Sequence, residues 1–127
     1  MDPIIDTIVR IKNGYMASRQ TVEVPYSHFR EEILKKLKKH RFIAEYAVEG
    51  DIKKNVIVTL IYKQKIPAFT DLKIYSKPGT RHYIKANEIR PVLGGYGYSF
   101  LTTPKGVMTH VEAKKAKLGG ELLFAIW

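Results

Sequence analysis

Two stretches hold residues whose types and spacing suit recognition of a polar polymer. The first is Thr102-Thr103-Pro104-Lys105-Gly106, two hydroxyls and a cation in what reads as a loop. Hydroxyls both donate to and accept from phosphates, ribose hydroxyls and base edges. A basic helix containing Glu112-Ala113-Lys114-Lys115 follows, and then Gly119-Gly120-Glu121. Glycines at 106, 119 and 120 let the backbone approach a ligand closely. Phosphate repels a carboxylate, so Glu121 suits a base amino group, a ribose hydroxyl or a lysine such as Lys114. The second stretch is Arg81-His82-Tyr83-Ile84-Lys85. Strand alternation puts Arg81, Tyr83 and Lys85 on one face. A ring between two cations can stack on a base while the cations meet phosphates. Each signal has a plainer reading: turn chemistry for the threonine and glycine pairs, and packing over a sheet edge for Tyr83.

Catalytic constellations are missing from the sequence. The four histidines, at 28, 40, 82 and 110, lack metal-ligand spacing. There is no Gly-x-Ser-x-Gly elbow and no phosphate-loop lysine motif. Gly94-Gly95-Tyr96-Gly97 is not a dinucleotide fingerprint and reads as a turn. No metal or cofactor is expected.

The charge favours a polyanionic partner. Over 127 residues, 22 Lys and Arg face 12 Asp and Glu, a net +10. Residues 1–65 carry 13 basic against 8 acidic side chains and residues 66–127 carry 9 against 4. The excess therefore lies on folded structure in both halves, not on a basic tail. With no cysteine, disulfides and thiolate metal sites are excluded. No signal region or membrane-length apolar run is read, so a soluble intracellular protein is expected.

These residues need elements to hold them. Ile4, Ile8, Ile11 and Tyr15 form one face of a first helix that opens at Asp2-Pro3 and ends by Ser18. Arg10 and Lys12 lie off that stripe, as solvated face or RNA contact. Thr21–Val24 reads as a strand stopped by Pro25. Ser27 caps a second helix with Phe29, Ile33 and Leu37 buried; Glu31 and Glu32 begin it, and Lys35, Lys36, Lys38, Lys39 and His40 end it. Strands are predicted over 42–48 and 56–62, with a linker at 63–67. Beyond it the chain reads mostly as strand: 69–75, a Lys77-Pro78-Gly79 turn, 81–85, a short helical turn in 87–93, 98–101, and the apolar tail 122–127. The fold class is α+β, an N-terminal α-β-α-β-β layer packed beside a mostly β C-terminal domain with a short helix. The domain boundary falls between 65 and 66.

Several motifs in order carry a family resemblance. They are Asp2-Pro3-Ile4 through Arg10-Ile11-Lys12-Asn13, Val22-Glu23-Val24-Pro25, and Ser76-Lys77-Pro78-Gly79 with Arg81, Tyr83 and Lys85-Ala86. The most specific lie at the end: Thr102-Thr103-x-x-Gly106-Val107-x-Thr109, Glu112-Ala113, Gly119-Gly120-Glu121 and Trp127. Over nearly its whole length the chain resembles the eighth protein of the bacterial small ribosomal subunit, the S-eight family. The resemblance implies a non-enzymatic constituent of the small subunit that binds the central domain of its ribosomal RNA and helps organise the platform. The ribosome would be cytoplasmic or organellar. Implied partners are that RNA, neighbouring small-subunit proteins and a messenger RNA that mimics the ribosomal site, with no membrane. The implied contacts are Thr102, Thr103, Pro104, Lys105, Gly106, Lys114, Gly120, Glu121, Tyr83, Arg81 and Lys85, with Arg10 and Lys12 in the N-terminal domain. Two positions depart from the family pattern. Pro104 stands where a serine is usual and brings neither hydroxyl nor backbone donor. Lys114 stands where arginine is usual, keeping charge but losing the bidentate fork.

Overall fold

The structure, a computed structural model, describes residues 2–91 and 97–127. The chain forms two compact units, Pro3–Thr70 and Asp71–Trp127. Residues 94–96 of the expected loop at 94–97 and residues 92–93 of the expected helical turn at 87–93 lie outside the described residues. A 3-10 turn covers Ala86–Glu88.

The first unit runs α1 (Pro3–Met16), β1 (Thr21–Pro25), α2 (His28–Lys39), β2 (Glu45–Glu49), β3 (Asn55–Thr59), β4 (Tyr62–Lys63) and β5 (Ile66–Pro67). β3 is central to an antiparallel sheet in the order β1-β3-β2. Its core joins Ile4, Ile8, Ile11 and Tyr15 of α1, Ile33, Leu34 and Leu37 of α2, and Val24, Val56 and Val58 of the sheet. Burying each such side chain contributes roughly 1.5–3 kcal/mol. Tyr15 is fixed at both ends of its hydroxyl, which donates to the Phe42 carbonyl at 2.6 Å and accepts from Ile61 N–H at 3.1 Å. Burial pushes its pKa up to about 12. Gly14 does not end α1. It lies where α1 meets β1, and a Cβ there would sit 2.3 Å from Val22 Cγ2. Phe29, expected in the buried stripe, is 38% exposed, and Leu34 takes the core position.

The strands expected over 42–48 and 56–62 are shorter than predicted, at Glu45–Glu49 and Asn55–Thr59. Phe42 and Ile43 are buried but precede β2, because Arg41 turns left-handed (φ 63°) to close α2. Phe42 N–H then bonds the Leu37 carbonyl and Arg41 N–H the Lys38 carbonyl, a Schellman arrangement. The other long helix ends the same way, with Ser18 left-handed (φ 55°) after α1. The predicted linker is instead a hairpin: β4 pairs with β5 around Gln64 and Lys65, both at positive φ. Pro25 is the last paired residue of edge strand β1, opposite Asn55.

The second unit holds β6 (Leu72–Ile74), β7 (Tyr83–Ile84), β8 (Tyr98–Thr103), β9 (Gly106–Thr109), α3 (His110–Ala116) and β10 (Gly120–Ile126). β10 is its central strand. It pairs antiparallel with β8 on one edge and with β6 and then β7 on the other, and β9 follows β8. Phe100 and Phe124 stack with centroids 4.9 Å apart, and Ile89, Leu101, Ala113 and Leu122 form a cluster. Thr109 caps α3: its hydroxyl accepts from Glu112 N–H at 3.2 Å, and the Glu112 carboxylate accepts from Thr109 N–H at 3.0 Å. This unit is mostly strand with one short helix among the described residues, as the sequence indicates.

Candidate nucleic-acid interface

The register of β10 assembles the candidate residues of the second unit. Glu121 faces Tyr83 across one edge and Thr102 across the other. Directly opposed residues of antiparallel strands share a sheet face, so Tyr83, Glu121 and Thr102 form one cross-strand row. Tyr83 is 72% exposed. It does not pack over the sheet edge, which leaves it able to stack on a base. Arg81 Nη1 lies 3.5 Å from Glu121 Oε2. Within the protein Glu121 therefore pairs with Arg81, where the sequence offered a lysine such as Lys114 as one of three alternatives. So long and half-exposed a pair contributes little to stability and leaves the carboxylate able to exchange partners.

The threonine pair does not lie in a loop. Both residues end β8, and the hairpin turns at Pro104-Lys105, with Thr103 opposite Gly106. Thr103 is only 8% exposed. Its hydroxyl donates to the Gly106 carbonyl at 2.8 Å and accepts from Lys105 N–H at 3.2 Å. It fixes the turn, and Gly106 supplies the positive φ (104°) that the turn needs. The Thr102 hydroxyl is buried and has no hydrogen-bond partner among the described residues, an uncommon state for a buried polar group. Pro104 and Lys105 are exposed at the tip.

Gly119 and Gly120 serve close approach, but to their own sheet. A Cβ on Gly120 would lie 1.9 Å from the Thr102 carbonyl oxygen, and one on Gly119 would lie 2.4 Å from that of Ile84. These glycines let β10 insert between β7 and β8 at the level of the Tyr83–Glu121–Thr102 row.

Cations rim this unit. Lys77, Arg81, Lys85, Arg90, Lys105, Lys114, Lys115 and Lys117 are exposed. The backbone N–H of Lys85 donates to Glu88 Oε1 at 2.9 Å, fixing the chain after β7 while the side chain stays in solvent. Lys114 and Lys115 lie in the last turn of α3, and Lys117 closes it left-handed (φ 57°). His110 is no ligand. Its Nδ1 accepts from Ser99 N–H at 3.2 Å, its ring meets Tyr98 edge-on, and burial together with Lys114 holds its pKa below the usual value. The described residues contain no group of three or more His, Cys, Asp or Glu arranged to hold a metal, and no helix long and apolar enough to cross a membrane.

Arg10 and Lys12 belong to the first unit. Arg10 is held by Asp6 at 3.0 Å and donates to the Glu23 carbonyl at 3.3 Å, while Arg30 bonds the same carboxylate at 3.0 Å. Burial pushes the Asp6 pKa up, but the hydrogen bonds and charges of Arg10 and Arg30 outweigh it and hold it below the ordinary value. Lys12 is half-buried on the same helix. Two features escaped the sequence reading. The Thr109-x-x-Glu112 box was legible as a capping signal. The bonding of Ser76, described below, had no local signal.

The chain is similar to known proteins over nearly its whole length. The family model "Ribosomal protein S8" matches residues 2–127. A small ribosomal subunit protein uS8 from Mycoplasmopsis synoviae is 48% identical over 128 residues, covering 99% of this chain and 97% of the relative. The uS8 of Dictyoglomus thermophilum is also 48% identical, over 99% and 97%. That of Spiroplasma kunkelii is 39% identical over 100% and 98%. With the motifs in order along one continuous match, the chain belongs to the ribosomal protein S8 family.

Proposed function

We propose that this protein is a structural constituent of the small ribosomal subunit that binds the central domain of its ribosomal RNA directly and helps organise the platform. The observation that carries the reading is the Tyr83–Glu121–Thr102 row, an exposed ring beside a carboxylate on the central strand, within a rim of cations. Such a row suits a folded RNA whose exposed bases stack and whose ribose hydroxyls are read. The Pro104-Lys105 tip, Gly106 and the Gly120-Glu121 backbone border the row. Arg81, Lys85 and Lys114 supply salt-sensitive affinity. Arg10 and Lys12 add a contact from the first unit, with Arg10 oriented by Asp6. Neighbouring small-subunit proteins are further partners, and a messenger RNA folded like the ribosomal site would occupy the same surface.

The test is a footprint of the isolated protein on small-subunit RNA, with affinity measured across a salt series. Protection confined to the central domain is expected. Lys114→Ala should lower the slope of log affinity against log salt by about 1. Protection scattered along the RNA would overturn the reading, and an unchanged slope would remove Lys114 from the interface.

A further inference from the structure

The chain along one edge of β10 is interrupted. β6 pairs with Phe124 to Ile126 and β7 with Gly120 and Glu121, and between them residues 77–81 leave the edge and turn back. The turn is Lys77–Thr80, with Pro78 and Gly79 (φ 82°) at its centre, and every residue from 77 to 83 is exposed. The Lys77–Thr80 bonds fix the turn itself but do not tie the returning chain to β10. The two ends of the excursion meet at Ser76, which is 4% exposed. The Ser76 hydroxyl donates to the Leu122 carbonyl at 2.7 Å and accepts from His82 N–H at 2.9 Å, beside a Leu122 N–H to His82 carbonyl bond of 2.8 Å. His82 lies between Arg81 and Tyr83, and Leu122 follows Glu121. One buried hydroxyl therefore ties together the two backbones that carry three of the candidate RNA contacts.

We propose that Ser76 is a positioning residue for RNA recognition: its hydroxyl holds the returning strand in register with β10, so that Tyr83 and Arg81 stand beside Glu121. The inference rests on the RNA-binding reading of this face. Removing the hydroxyl leaves His82 N–H and the Leu122 carbonyl each short of a buried partner, and that loss is met where the contacts are mounted.

The experiment is a double-mutant cycle on binding to transcribed central-domain RNA, using the full chain with Ser76→Ala, Tyr83→Ala and both. Unfolding curves verify that each variant is folded at the assay temperature. Ser76→Ala should weaken binding about 5- to 20-fold, and Tyr83→Ala by at least about fivefold. In the Tyr83→Ala background the Ser76→Ala step should shrink to less than half its fold-change in the parent, because one of the two groups it positions is gone. Binding to an unrelated RNA duplex should barely change. A folded Ser76→Ala protein that binds like the parent, while Tyr83→Ala does not, overturns the positioning role alone. Fully additive losses also overturn it, since Ser76 would then act elsewhere. An unaffected Tyr83→Ala protein overturns the reading of the face itself. If Ser76→Ala does not fold, Ser76→Cys, which weakens both bonds without removing the group, is carried through the same cycle.

Discussion

Gly120→Ala separates a glycine that serves the sheet from one that serves the ligand. The added Cβ would lie 1.9 Å from the Thr102 carbonyl oxygen, 2.9 Å from its carbonyl carbon and 3.2 Å from Thr103 Cα. Ordinary contact begins near 3.4 Å, so β8 and β10 must part by roughly 1.5 Å at this point, a large fraction of the ~4.8 Å strand spacing. Overpacking costs about 1–3 kcal/mol, and the ladder bonds stretched on either side add about 1 kcal/mol each. Alanine returns about 0.4–1 kcal/mol by stiffening the unfolded chain. The expected net loss is about 2–4.5 kcal/mol. Trp127, the sole tryptophan, follows the last residue of β10 and reports on this unit. Its fluorescence in urea should show a midpoint lowered by about 1.5–3 M, for a slope of ~1.5 kcal/mol per M. Gly106→Ala is the control: nothing lies within 4 Å of its Cβ, so only the left-handed backbone (φ 104°) is strained, at about 1 kcal/mol. A Gly120→Ala protein with an unchanged midpoint but weakened RNA binding would refute this account and restore the glycine as a ligand contact.

Three further outcomes are expected. Thr103→Val keeps the shape but removes both hydroxyl bonds of the hairpin; it should lose about 1–2 kcal/mol of stability and shift the amide resonances of Lys105 and Gly106. Lys117→Gly should raise the unfolding midpoint by the equivalent of about 0.5–1 kcal/mol, since glycine takes the left-handed position after α3 without strain. His110 has a folded pKa below its ordinary 6.5. Between those two values the unfolded chain binds more protons, so its contribution is complete above about pH 7 and is lost as the pH falls from 6.5 toward the folded value. Urea midpoints at pH 7.5 and 5.5 should therefore differ more for the parent than for His110→Gln, and equal differences would remove His110 as the cause.

Local features of the sequence determined much of this protein. Helical spacing gave the α1 stripe, Ser27 gave the cap whose hydroxyl accepts from Arg30 N–H at 3.1 Å, and Pro78-Gly79 gave its turn. Each rests on residues within one or two turns of chain, where propensity and side-chain period act directly. The ordered motifs carried the family. What tertiary structure alone decided depends on register between distant strands. That register put Tyr83, Glu121 and Thr102 in one row and gave Glu121 to Arg81. The 63–67 segment hid its hairpin because Gln64 and Lys65 adopt left-handed backbones without the glycine or asparagine that announces them. The glycine pair and Ser76 give the same lesson. Their neighbours Thr102, Ile84 and Leu122 come from other strands, and no window along the chain contains the packing that makes a missing Cβ or one hydroxyl necessary.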